Sequence, residues 1–221
     1  MSQVDSFMVG SSLPARGFYI FGRTVVVGIT RLLCRPTVIG REKIPTQGAF
    51  VLAPVHRSYI DTPLAAAVTR RRLRFMGKDS MWKWRPFGWV LSALGAFPVT
   101  RGTADREALK RCVAVLEGGD PLVLFPEGER KDGPVVQQLF DGAAFVAIKA
   151  GVPIVPLGIG GSDQAWSRGK KLPRFAKCVL IVGEPIQTSV SDNGKIARSN
   201  VREVTATLHS ELQKLYDEAR K

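Results

Sequence analysis

From Pro45 to Val182 short apolar runs alternate with helical patterns and turn signals, and that alternation leaves few architectures open. Gly48–Ala53, Leu73–Gly77, Ala96–Thr100, Leu122–Phe125, Ile154–Ile159 and Cys178–Val182 read as buried strands. Between them, Thr103–Glu117 places Leu109, Cys112, Val113 and Leu116 on one helical face, with Thr103 or Asp105 as cap and Gly118-Gly119 as stop. Phe140–Ala150 reads as a helix ended by Gly151, and Ile196–Lys221 as a long, charged closing helix. Strands alternating with helices predict an α/β domain, a central, largely parallel sheet flanked by helices. The 221 residues fit one domain with an appendage, since single cores stop growing at roughly 250 residues.

The appendage is residues 1–35, ahead of a break at Arg35-Pro36; the α/β domain is 36–221. Within it, Arg16, Arg23 and Arg31 recur at helical spacing on one face, and the other faces carry Phe18, Ile20, Phe21, Val25, Val26, Ile29 and Leu32. Two readings stand: an amphipathic helix lying in the headgroup region with its arginines on phosphates, or a core helix of the domain. Arg23 and Arg31 interrupt the stretch, which argues against a span of about 20 apolar residues. No secretory leader is evident.

The net charge of +13 asks for an anionic partner: nucleic acid, an anionic membrane or a phosphorylated substrate. The mixed run Lys78–Leu91, with Trp82, Trp84 and Trp89 among cations, suits a membrane surface or a stacking nucleic-acid face. Gly160–Lys177 reads as a basic surface loop. Cys34, Cys112 and Cys178 stand far apart in sequence, which argues against a disulfide scaffold or a zinc site and for a reducing compartment.

The chemistry-bearing residues fall at strand ends. His56 follows one strand and precedes a helix, in Pro54-Val55-His56-Arg57-Ser58-Tyr59-Ile60-Asp61, and the carboxyl ends of strands are where ligand crevices form in open α/β sheets. If His56 sits in the loop and Asp61 in the first helical turn, the imidazole can fold back over the carboxylate, a base with its orienting partner. Taken alone, Asp61 reads first as a helix cap, since Ser58-x-x-Asp61 matches a capping box. Ser58 lacks the Gly-x-Ser-x-Gly setting of a nucleophile elbow. A second strand ends at Phe125-Pro126-Glu127-Gly128-Glu129-Arg130, where Glu127 can accept hydroxyl hydrogen bonds, Gly128 lets backbone amides approach a ligand, and Arg130 offers a fork for phosphate. A third ends at Arg101. His209, in the closing helix, reads as a solvated surface residue.

His56-x-x-x-x-Asp61, Phe97–Gly102, Phe125–Gly128 and Val152–Pro156 stand in the order and rough spacing of the four blocks of the glycerolipid acyltransferases. Over residues 36–190 the chain resembles the PlsC-like 1-acyl-sn-glycerol-3-phosphate acyltransferases. The resemblance implies acyl transfer from a thioester, acyl-CoA or acyl-carrier protein, to the free hydroxyl of lysophosphatidic acid, with glycerol 3-phosphate or another lysophospholipid as alternative acceptors. His56 would be the base and Asp61 its orienter. Arg101 would hold the acceptor phosphate, Glu127 with Gly128 the glycerol portion, and Lys78 and Arg130 further phosphate oxygens. Val152–Pro156 would line the acyl or substrate channel. No cofactor, metal or nucleic acid is expected, and the N-terminal helix would dock on the cytoplasmic face of a membrane, as a peripheral or monotopic anchor. The chain departs from the family pattern at Val55, where Asn is usual, and at Glu129, where Thr is, which leaves acceptor identity more open than reaction type. A basic binding module without catalysis is the reading from another class.

Overall fold

The computed structural model describes residues 12–99, 106–167, 169–189 and 196–221, and of Lys78 only the backbone. Its helices are α1 (Leu13–Cys34), α2 (Asp61–Ala67), α3 (Arg85–Ala93), α4 (Arg106–Glu117), α5 (Gly142–Ala150), α6 (Ser162–Trp166) and α7 (Arg198–Ala219). The strands are β1 (Thr37–Ile39), β2 (Val51–Pro54), β3 (Arg74–Lys78), β4 (Ala96–Val99), β5 (Leu122–Val123), β6 (Ile154–Gly160) and β7 (Val179–Val182). The seven strands form one sheet in the order β1-β7-β6-β2-β5-β3-β4, parallel throughout except where β6 meets β7.

The expected α/β architecture is present, and the apolar runs explain it. Every residue of β2, β5 and β6 is buried, as a central strand covered on both faces requires. From β2 the chain moves through α2 to β3 and through α3 to β4; from β4 and β5 it returns through α4 and α5. Right-handed crossovers put α2 and α3 on one face and α4 and α5 on the other, and the packing agrees: α1 lies on α2 and α3, and α5 on α4 and α7. The connections after β2 and β5, neighbours in the sheet, therefore diverge at their carboxyl ends, where ligand crevices form in open α/β sheets.

Helix α7 covers β6 and β7. Gly158 and Gly160 permit this: a Cβ on Gly160 would stand 2.0 Å from the Ala219 carbonyl oxygen, and one on Gly158 2.6 Å from the Leu215 backbone. A side chain at either place would lift the closing helix off the sheet.

Four elements differ from expectation. β1, a three-residue edge strand, follows the Arg35 break and is too short and too exposed to show an apolar run. α3 occupies part of the Lys78–Leu91 run, and α6 the start of the presumed basic loop 160–177. α4 begins at Arg106 within the described residues; its expected caps, Thr103 and Asp105, lie outside them.

The N-terminal helix has Ser12 as N-cap and Pro14 in its first turn, and stops where Arg35 turns left-handed (φ 37°) before Pro36. It is fastened to the domain rather than free-standing. Ala15, Val27, Thr30 and Cys34 are buried, Ala176 N–H donates to the Leu33 carbonyl at 3.0 Å and Cys178 N–H to that of Cys34 at 2.9 Å. Nor do its arginines share one outward face. Arg23 turns inward and donates to the Ala66 carbonyl at 3.0 Å and to the Thr69 carbonyl, at the C-terminal end of α2, where a cation meets the negative end of the helix dipole. The outward face is apolar: Ile20, Phe21, Ile29 and Leu32 are each more than half exposed. Phe18 meets Trp89 of α3 edge-on at 4.8 Å, joining this face to the exposed Trp84 and Phe87. By length and composition alone α1 is also long and apolar enough to cross a membrane.

Two of the three distant cysteines meet. Cys34 and Cys178 are fully buried free thiols, and the hydrogen bond with Cys34, with burial added, pushes the Cys178 thiol far up.

Candidate active site

Strand β2 ends at Pro54, and the next six residues loop over the sheet before α2 begins at Asp61. The loop folds His56 back onto Asp61: Nδ1 lies 3.0 Å from Oδ2. The same oxygen accepts the Arg57 and Ser58 backbone N–H groups, each at 2.6 Å. The capping and orienting readings of Asp61 thus describe one carboxylate, which closes the helix start and holds the imidazole. Asp61 is fully buried, and its Oδ1 has no hydrogen-bond partner among the described residues. With the carboxylate ionised, Nδ1 carries the proton donated to Oδ2, which leaves the Nε2 lone pair as the basic site. The ring stacks on Phe125, centroids 3.9 Å apart, and 11% of the side chain is exposed. Among the described residues Nε2 has no hydrogen-bond partner.

Ser58 is not poised to attack anything. It is buried, its Oγ donates to the Trp166 carbonyl at 2.6 Å and it accepts the Ile60 N–H at 3.2 Å.

Beneath the histidine loop lies a buried ion pair. Arg57 Nη1 reaches the Glu127 oxygens at 2.7 and 2.9 Å and the His56 carbonyl at 3.0 Å. Burial lowers the Arg57 pKa, but the hydrogen bonds and charge of Glu127 outweigh it and hold the guanidinium above its usual value. Glu127, fully buried, also accepts the His56 N–H on Oε2 and the Gln137 N–H on Oε1, both at 3.0 Å. In this arrangement the bonds of Glu127 are all to the protein: Arg57 and the His56 and Gln137 amides. Gly128 closes a turn onto Phe125. Its amide donates to the Phe125 carbonyl at 3.0 Å, and its φ of 72° with the Phe140 ring 2.7 Å from any Cβ makes glycine a steric requirement there.

Arg130 lays its guanidinium over the Tyr59 ring at 4.0 Å beside the histidine loop. Its buried Nε has no partner, and it pairs with no carboxylate among the described residues. Glu129 is taken up by Lys131 at 2.8 Å, which offsets the extra negative charge beside Arg130. The Lys78 backbone ends β3 opposite Val99 of β4, on the same edge of the sheet as His56. Arg101 lies outside the described residues. The strand part of Val152–Pro156 pairs with β2 in the core, Pro156 opposite Ala53.

Sequence reading missed Arg57, the Phe125 platform and Gln137. One signal was available for the first: Glu127, at the end of an apolar run, needs a buried countercharge, and Arg57 stands at the end of another such run.

A doubly wound α/β sheet here presents a carboxylate-braced histidine at its switch point, with no side-chain nucleophile bonded to it among the described residues. Residues 35–160 match the family model described as Acyltransferase, and the chain belongs to that family. It is 29% identical over 150 residues to the 1-acyl-sn-glycerol-3-phosphate acyltransferase of Bacillus subtilis, which is 67% of this chain and 72% of that protein. The lyso-ornithine lipid O-acyltransferase of Pseudomonas aeruginosa is 30% identical over 170 residues, 69% of this chain and 65% of that protein. Among solved structures, PlsC, the 1-acyl-sn-glycerophosphate (LPA) acyltransferase from Thermotoga maritima, matches at a TM-score of 0.72 and 23% identity over 94% of this chain and 80% of its own. That likeness speaks for the fold.

Proposed function

We propose that this chain transfers a fatty acyl group from an acyl thioester, acyl-CoA or acyl-carrier protein, to the free hydroxyl of lysophosphatidic acid, making phosphatidic acid. The observation that carries the reading is the His56–Asp61 pair, with Nδ1 and Oδ2 3.0 Å apart. His56 Nε2 takes the hydroxyl proton as that oxygen attacks the thioester carbonyl. Asp61 stabilises the imidazolium, which returns the proton to the departing thiolate. A thioester needs little activation and the alcohol is the weaker partner, so one positioned base contributes about 10²–10⁴-fold, and orientation supplies more. The Arg130 guanidinium, which pairs with no carboxylate among the described residues, suits the acceptor phosphate, with Lys78 at the end of β3 and Arg101 as further candidates.

The outward apolar face of α1 and its continuation into Trp84, Phe87 and Trp89 support docking on a membrane, where both substrate and product reside. The attachment of α1 along the domain supports a helix lying on the membrane surface rather than crossing it.

The test is a purified assay that offers lysophosphatidic acid, glycerol 3-phosphate, lyso-ornithine lipid and phosphate-free monoacylglycerol with a labelled thioester. Phosphatidic acid as the main product is the expected result, and His56→Ala abolishes it with the fold retained. Preference for the ornithine acceptor, which lacks a phosphate, would move the substrate assignment toward the Pseudomonas relative. Unchanged function in folded His56→Ala would replace the enzyme by a binding module.

A further inference from the structure

We propose that His209, Gln213 and Tyr216 are positioning residues for acyl transfer, acting from the closing helix on the histidine loop through the strap Gly133–Gln137. The proposal rests on the acyltransferase reading of His56. The three residues are spaced by four and three, which lines them along one face of α7. The strap is irregular backbone, so its polar groups have no ladder to satisfy them and must find partners elsewhere.

Those partners come from two sides. On the helix side, His209 Nε2 donates to the Val136 carbonyl at 3.0 Å, and Gln213 Oε1 accepts the Val136 N–H at 2.7 Å. Gln213 Nε2 donates to the Pro134 carbonyl at 3.2 Å, and Tyr216 Oη to the Gly133 carbonyl at 3.3 Å. On the other side, Arg57 donates to the Gly133 carbonyl at 3.3 Å and the Val135 carbonyl at 3.1 Å, while the Gln137 N–H donates to Glu127 at 3.0 Å. The Tyr216 ring also faces the Arg57 guanidinium at 4.9 Å. Even-numbered strap residues are held by α7 and odd-numbered ones by the Arg57–Glu127 pair, with Gly133 shared.

The pair in turn grips both backbone groups of His56, its N–H through Glu127 and its carbonyl through Arg57. A continuous set of bonds therefore runs from α7 to the reacting imidazole. The helix end of that set is itself fixed, because Gly158 and Gly160 seat α7 directly on β6. None of the three residues lies in the stretch that matches the family model, 35–160. His209, expected to be a solvated side chain, is half-buried and bonded to the strap instead.

The test compares full-length wild type with Gln213→Met, which keeps the length of the side chain and loses its strap bonds. Tyr216→Phe, which loses one bond and keeps the ring under Arg57, is the milder variant. Leu208→Ala, which loosens α7 on the sheet without touching the strap, is the control. The chain has two histidines, so the imidazole resonances of His56 are assigned by comparison with His209→Gln. We expect Gln213→Met to lower kcat about tenfold to a hundredfold with the acceptor and donor KM within about twofold, and to move the His56 ring resonances. Tyr216→Phe should do the same to a smaller degree, and Leu208→Ala should lower Tm while leaving kcat and the resonances in place. Unchanged kcat and unmoved His56 resonances in folded Gln213→Met, or an equal kcat loss in Leu208→Ala at matched Tm, overturn the proposal. If wild type acylates no acceptor, the acyltransferase reading fails by itself, and the response of the His56 resonances alone decides whether α7 positions the imidazole.

Discussion

His56 Nδ1 and Asp61 Oδ2 stand 3.0 Å apart, and that oxygen is also the acceptor for two backbone N–H groups of the loop between them. The carboxylate therefore fixes the loop and the ring together: the bonds that hold Asp61 in place are those that aim the imidazole. An orienter held this way cannot drift from its base without unfolding the first turn of α2.

Asp61→Asn should consequently reduce turnover far more than acceptor binding. An amide can accept the backbone N–H bonds but bears no charge to stabilise the imidazolium, so a loss in kcat of about 10²–10⁴-fold is expected, with acceptor KM nearly constant. Steady-state kinetics at saturating thioester measure both. A rise in KM with kcat preserved would make Asp61 a capping residue alone.

The Arg57–Glu127 pair predicts a stability pattern of its own. Arg57→Met leaves the Glu127 charge buried without its partner and should cost about 3–5 kcal/mol. Glu127→Gln should cost a similar amount by stranding Arg57, and the double variant should be more stable than the sum of the two losses implies. Denaturant melts of the four proteins give the coupling. Folded Glu127→Gln should retain its acceptor KM; a tenfold rise in KM with kcat intact would assign Glu127 to the substrate.

How much of this was legible in the sequence follows from the range over which each feature acts. β2 and β6 show as apolar runs because burial on both faces is written locally, and His56 and Asp61 show because one six-residue stretch, from the loop into the first turn of α2, carries both. Arg57, Gln213 and Tyr216 do not show, since their roles come from contacts across 70 to 83 positions of chain, which no spacing encodes. The same distance explains Glu127, whose exposed-looking motif hides a residue turned entirely inward. β1 escaped for the opposite reason: three residues at a sheet edge carry too little pattern to read.

Membrane docking should depend on the apolar outward face of α1 and not on Arg23. Phe21→Asp and Ile29→Asp place charges at positions 69% and 54% exposed, so Tm should hold while sedimentation with anionic vesicles falls at both low and high salt. Arg23→Gln should show the opposite pattern: vesicle binding kept, and stability reduced by about 1–3 kcal/mol as the carbonyls at the end of α2 lose a charged donor. Loss of vesicle binding in Arg23→Gln at full stability would put that arginine on lipid phosphate instead.

Two buried phenols give the fold an alkaline limit. Burial raises the pKa of Tyr19 and of Tyr216 above the ordinary value, against the opposing pull of Arg23 on the first and Arg57 on the second. A group that binds its proton more tightly when folded contributes stability that is complete below its unfolded pKa and is lost as pH climbs through the folded one. The stability lent by both tyrosines should thus be intact up to about pH 10, the ordinary tyrosine range, and decline above it. Chemical denaturation between pH 8 and 11 should show that decline, with a shallower slope in Tyr216→Phe and in Tyr19→Phe than in wild type. An identical slope in all three proteins would mean that neither phenol is held in its neutral form by the folded chain, and the Tyr216 hydroxyl would then lose its place as a donor to the strap.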